Sequence, residues 1–367
     1  MERNKKPIPQ RNNAKGITFI NEQIEDTYLP MLHGKATDAI AGMSSRGASV
    51  NPITGSLTIE KRETKLVIDK FNELAATLGI NAHKLLSAGI VEFTALNDVS
   101  GKPAENLNCG ATIPLKEYAS QCGYDVIPHY SPDATEEEIA LEEKRANNAL
   151  KDARKKIKKD LQLLSSSRIS WREKVKGKNE DYVDIAIIGT NGIRNGNIYM
   201  VFDPVFSRYL AALPLTQYPK ALRALDARSG NAYKIGLKMA EHYNLDNNQK
   251  RGTAQLLKVK NLLKETELPT IATIRKQRAS WEARIKEPFE IALEALIKCG
   301  LLEDWRYSKS KGVELTDEEA TSFTNYEEWI ETLVHFTLKD APDHTQRLER
   351  RAEEQKKQRK NKKKKAK

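Results

Sequence analysis

Apolar residues recur with a helical period in some stretches of the chain and alternate with polar ones in others, and this rhythm lays out most of its elements. Spacings of three and four predict helices over 64–78 and 82–96, and a short helix from Pro114-Leu115 to Gly123. Thr135 followed by Glu138 has capping-box spacing, so a long charged helix starts there and runs to Ser165. Along it Leu150, Ile157, Leu161 and Leu164 are separated by 7, 4 and 3 residues, which is one helix face. Strand-like segments follow at 168–175, 182–189 and 197–202, with Asn191-Gly192 and Asn195-Gly196 as turn signals. Asp203-Pro204 is an N-cap with proline at the first helical position, predicting a helix through Phe206, Leu210 and Leu213.

Pro214 and Pro219 mark a break, after which the order of elements repeats. A helix is expected over 231–243, a short strand and helix over 257–265, and a longer helical stretch from Thr273 to Cys299. That stretch carries Trp281, Ile285, Phe289, Leu293 and Leu296 on one face, and Pro288 should kink or split it. Strands near 305–307 and 335–339 flank a capped helix at 325–333. The fold class is therefore α+β, mainly helical, with helix, short strand, helix, basic helix and hairpin in each half. The expected domains are 57–214 and 215–345, each with its own core, between a flexible segment at 1–56 and a disordered basic tail at 346–367.

Charge changes this picture once it is divided. Of the net +11, residues 346–367 carry +9 and residues 1–15 carry +4, which leaves −2 on the body. A cationic surface on the body must then be local. Residues 151–178 hold eleven Lys/Arg against three Asp/Glu, a concentration of +8. Lys151, Arg154, Lys155, Lys158 and Lys159 fall off the apolar stripe, and Arg168, Arg172 and Lys174 continue the charge into the following strand. A second cluster comprises Arg275, Lys276, Arg278, Arg284 and Lys286, with Arg306, Lys309 and Lys311 beyond it. A Lys/Arg-rich face is also how an ordinary solvated helix looks, but two clusters at matching places favour a common polyanionic partner. Trp171 and Trp281 are read as core residues, because both follow the apolar pattern, rather than as stacking platforms for bases.

Other chemistries find no support in the residues. Cys109, Cys122 and Cys299 are far apart and unpaired in spacing, which fits a reducing, cytoplasmic setting without a disulfide framework or zinc site. No apolar run approaches the roughly 20 residues that cross a bilayer, so no membrane association is expected. Neither a phosphate-binding loop nor a histidine pair with a nucleophilic tyrosine occurs, and His344-Thr345-Gln346-Arg347 has no tyrosine downstream. The expectation is a protein without cofactor, metal or intrinsic catalysis.

A helix followed at once by a basic strand is the outline of a winged helix, and scattered positions carry a closer likeness. These are Thr112-Ile113-Pro114-Leu115 with Glu117-Tyr118-Ala119, Ile157-Lys158-Lys159-Asp160-Leu161 with Ser170-Trp171, and Ala232-Tyr233-Lys234-Ile235-Gly236. Trp281-Glu282-Ala283-Arg284-Ile285 with Pro288-Phe289-Glu290, and Trp305-Arg306-Tyr307, complete the set over residues 60–340. In these the chain resembles the iteron-binding plasmid replication initiators, which are built from tandem winged-helix domains with β-hairpin wings. The resemblance implies binding of double-stranded DNA at origin repeats, a homodimer formed through the first domain, and recruitment of host replication proteins. It also implies that Arg275, Arg278 and Arg284 read the site, with Lys276, Lys286 and Arg306 beside them. Lys155, Lys158, Lys159, Arg168, Arg172 and Lys174 would contact the backbone or the partner subunit. A tandem winged-helix transcriptional repressor would use the same surfaces, and the stronger first cluster leaves open that both domains grip DNA.

Overall fold

Two parts of the chain, the first and second units, each build a sheet whose last strand lies between two earlier ones. The computed structural model describes residues 27–32, 48–50, 57–61, 64–69, 79–97, 107–174, 180–213, 215–310, 313–323 and 325–342. The expected flexible start (1–26), the loop expectations at 33–47 and 51–56, the helix expected over 71–78 and the basic tail lie outside these residues.

Three short strands precede the first unit's helices: β1 (Tyr28–Leu32), β2 (Ala48–Val50) and β3 (Leu57–Lys61), followed by β4 (Thr64–Ile68). Helix α1 (Ile80–Leu96) is apolar on nearly all sides and is buried almost throughout. Strand β5 (Gly110–Pro114) ends on a proline that leads into α2 (Leu115–Gln121). The Thr135–Glu138 capping box forms as expected and opens α3 (Glu136–Ser165), whose first turn carries Glu136, Glu137 and Glu138 against the helix dipole. Ala146, Ala153, Ile157, Leu161 and Leu164 form its buried face.

After α3 come β6 (Ser167–Lys174), β7 (Glu180–Ala186), β8 (Ile188–Arg194) and β9 (Asn197–Phe202). Strands β8 and β9 close on Asn195 and Gly196, both at positive φ, the conformation an Asn-Gly hairpin turn requires. Strands β5, β9 and β8 form a sheet in that order. Strands β6 and β7 belong to a different sheet, ordered β2-β3-β4-β6-β7, in which Leu66, Ile169 and Ile185 line up across neighbouring strands and are buried. Asp203 then caps α4 (Pro204–Ala212) by accepting from the Val205 N–H, and β10 (Leu215–Pro219) pairs back on β1.

The second unit runs α5 (Gly230–Asn244), α6 (Asp246–Arg251), β11 (Leu256–Lys258), α7 (Val259–Leu263), α8 (Ile271–Gln277) and α9 (Glu287–Lys298). It closes with β12 (Leu302–Ser310), β13 (Val313–Glu314), α10 (Asp317–Thr321), α11 (Tyr326–Glu331) and β14 (Leu333–Leu338). Its sheet is ordered β11-β14-β12-β13. Without the two-residue β13, both units thus place their last strand between the other two.

The units meet over a continuous interior, because buried residues from Met31 to Leu338 fall in one apolar cluster. Gly236 permits the closest approach: a Cβ there would lie 2.6 Å from Leu222 and 2.9 Å from both Leu296 and Leu301. Polar contacts cross the joint as well. His83 Nδ1 and the Tyr233 hydroxyl are 2.7 Å apart, Tyr233 and Tyr218 hydroxyls 3.1 Å, and Arg223 donates to Gln121 at 2.5 Å. Lys84, only 1 % exposed, donates to the Leu225 carbonyl.

Four expectations need correction. Thr64–Ile68 is a strand rather than the start of a helix, since its β-branched residues pair between β3 and β6 with Leu66 and Ile68 turned inward. Order begins before Leu57, because β1 buries Met31 and Leu32 against the core. Asn191-Gly192 lies inside β8, and only the second Asn-Gly turns the chain. The 273–299 stretch breaks at Arg278, which sits in the left-handed region at φ 52, and not at Pro288. Pro288 instead occupies the first turn of α9, directly after a π-helical segment at Glu282–Lys286. No helix among the described residues is long and apolar enough to cross a membrane.

Candidate nucleic-acid interface

Helix α3 presents its cations on a rigid support. Lys151, Lys155, Lys158 and Lys159 are all exposed, while Ile157 and Leu161 between them are buried. Lys155 has one weak partner, Asp152 at 3.5 Å, and Lys151, Lys158 and Lys159 make no ion pair among the described residues. Two neighbours fix the helix in place. Arg154 donates to the Ile193 carbonyl at 3.3 Å, which ties α3 to the β8–β9 hairpin, and the Lys156 ammonium lies 5.1 Å from the Tyr124 ring centre.

The strand after α3 does not complete this surface in the way the sequence suggests. Arg168 pairs with Asp184 at 3.1 Å across β6 and β7. Arg172 and Lys174 are placed on β6 opposite Tyr182 and Glu180, and their side chains, like that of Trp171, are outside the described residues. This hairpin belongs to the five-stranded sheet. The hairpin sharing a sheet with β5 is β8–β9, whose exposed Arg194 stands next to the turn. Sequence reasoning missed Arg194, although Asn195-Gly196 beside it was the signal that a hairpin tip lay there.

The second cluster is divided. Arg275 does not lead a long helix but closes the short α8, where it salt-bridges Glu327 at 2.6 Å. Lys286 turns inward, pairing with Glu290 at 3.0 Å near the Phe323 ring. Arg306 is held by Asp304 at 3.1 Å and Glu314 at 3.4 Å. Lys276, Arg278 and Arg284 are exposed and have no ion pair among the described residues. They flank the break between α8 and α9. Trp281 packs on Trp329, ring centres 5.5 Å apart, in line with its reading as a core residue. Lys309 pairs with Glu319 and Lys311 lies outside the described residues.

One acid of α3 is itself drawn out of water beside the exposed lysines. Asp160 follows Lys158 and Lys159 in the chain, and burial pushes its carboxyl up to about 7, although the nearby Lys84 ammonium opposes the shift. Lys84 itself is pulled down, first by its own burial. Between about pH 4 and 7 the unfolded chain has an ionised Asp160 where the folded chain keeps it protonated, so stability falls as pH rises through that window. Asp160→Asn should therefore stabilise the fold by about 1–3 kcal/mol at pH 8 and by close to nothing at pH 4, as read from urea melts. An equal gain at both pH values would contradict the assignment.

Among the described residues no group of three or more His, Cys, Asp or Glu is placed to hold a metal ion. No protein-family model, curated protein or solved structure matches this chain.

Proposed function

We propose that the chain binds double-stranded DNA as a tandem winged-helix protein and starts replication at an origin without chemistry of its own. The observation that carries this reading is the row of exposed cations at Lys151, Lys155, Lys158 and Lys159 on a helix anchored to the β8–β9 hairpin. Clustered cations on a fixed element give phosphate contacts with a defined register. The order of strands supports it: β9 lies between β5 and β8, and β14 lies between β11 and β12. Helix-turn-helix proteins present the last helix of the unit to DNA, the place that α3 takes in the first unit. In this reading α3 and Arg194 hold the backbone, and Lys276, Arg278 and Arg284 supply sequence discrimination. A homodimer through the first unit and contacts with host replication proteins follow from the resemblance.

Footprinting on the DNA flanking its own gene tests the proposal. Protection of a series of direct repeats is expected. Protection of a single palindrome would point to a repressor, and nicking of supercoiled DNA with Mg²⁺ would overturn the non-catalytic part.

A further inference from the structure

The second unit differs from the first in what fills the connection between its last two strands. In the first unit β8 and β9 are joined by Asn195-Gly196 alone. In the second, residues 311–332 lie between β12 and β14, and from 313 onward they hold seven Asp/Glu and no Lys/Arg. Their carboxylates reach cations on four separate elements. Glu331 binds Lys258 of β11 at 2.6 Å and Lys260 of α7 at 2.5 Å. Glu327 binds Arg275 of α8, and Glu319 and Glu314 bind Lys309 and Arg306 of β12. These cations are surface groups: the Arg275 side chain is 64 % exposed and Arg306 60 %. The carboxyls feel them, as Glu331 is drawn down to about 2 and Glu327 and Glu319 lie below the usual range, each chiefly through its hydrogen bonds to those cations.

We propose that the 313–332 segment is a built-in phosphate mimic, an autoinhibitory contact that withholds Lys258, Lys260, Arg275, Arg306 and Lys309 from DNA until these pairs exchange. This rests on the DNA-binding reading. A cation already neutralised by the chain's own carboxylate displaces no counterion condensed on the DNA and adds little to non-specific affinity. The mask does not swing away as a body, because α11 is pinned by Trp329, which is fully buried. Only its charged ends exchange. Non-specific binding then falls to the unpaired cations, and the masked ones engage only where a matched site supplies contacts that outweigh the lost pairs.

The test compares the full chain with Glu327→Gln/Glu331→Gln and with a control, Glu136→Gln/Glu137→Gln, which removes the same charge from exposed residues without ion pairs in the first turn of α3. Binding to a random-sequence DNA duplex is measured across a salt series. Freeing Lys258, Lys260 and Arg275 should steepen the log–log salt slope by about 2–3 and tighten binding roughly tenfold or more at low salt. The control should change neither the slope nor the affinity by more than about twofold, the effect of net charge alone. An unchanged slope in the first variant, or an equal gain in the control, overturns the mask while leaving DNA binding in place. If none of the three proteins binds the duplex, the DNA-binding reading fails and the mask with it.

Discussion

Replacing Lys155, Lys158 and Lys159 together by alanine should weaken binding to duplex DNA of any sequence by about a hundredfold near physiological salt. Each phosphate contact contributes about 0.9 to the log–log salt slope, so three lost contacts flatten it by roughly 2.7. The fold should not register the change. All three side chains are exposed, Asp152 at 3.5 Å is the one ion-pair partner of Lys155 among the described residues, and alanine is the best helix former. A loss confined to one DNA sequence would show instead that these lysines read bases. Arg278→Ala should behave in the opposite way, costing about 1–3 kcal/mol at the preferred site and little elsewhere. The pair of experiments thus separates gripping from reading.

What could be read in the residues, and what could not, divides along the distance over which the determining contacts act. The Thr135–Glu138 cap, the Asp203-Pro204 helix start and the Asn195-Gly196 turn are set by neighbours three or fewer positions away, and all three form. The apolar stripe of α3 was legible for the same reason, since a helix imposes its own period. Thr64–Ile68 was misread because a five-residue segment is too short to show a period of its own until β3 and β6 lie beside it. The candidate interface suffered most from this limit. Charge counts placed Arg275, Lys286 and Arg306 in the cationic cluster, but Glu327 reaches Arg275 from 52 residues away through packing, while Glu290 and Glu314 pair with Lys286 and Arg306 from 4 and 8 residues away. Lys84 and Asp160, 76 positions apart, come together only because α1 and α3 pack in the same core.

The largest stability effect should come from Trp329→Ala, with a loss of about 3–5 kcal/mol. Trp329 is 0 % exposed and stands at the centre of an aromatic group, 5.5 Å from Trp281 and 5.6 Å from Phe289, the latter edge-to-face. Its Nε1 donates to the Tyr307 hydroxyl at 2.9 Å, and Tyr307 in turn donates to Glu290 at 3.0 Å. Truncation opens a cavity and strips the Tyr307 oxygen of its donor in a setting that excludes water. Trp329→Phe keeps most of the packing, so it should cost less than half as much. Since the two units share one apolar cluster, the Ala variant is expected to melt in a single transition at lower temperature. A separate early transition of the second unit would show that its interior is energetically independent of the first. The same variant bears on the acidic segment, because α11 owes its position to this indole. With α11 loosened, the pairs from Glu327 to Arg275 and from Glu331 to Lys258 and Lys260 should weaken in step with the fold. Non-specific DNA binding at a temperature where the variant remains folded should then rise, although the protein has become less stable.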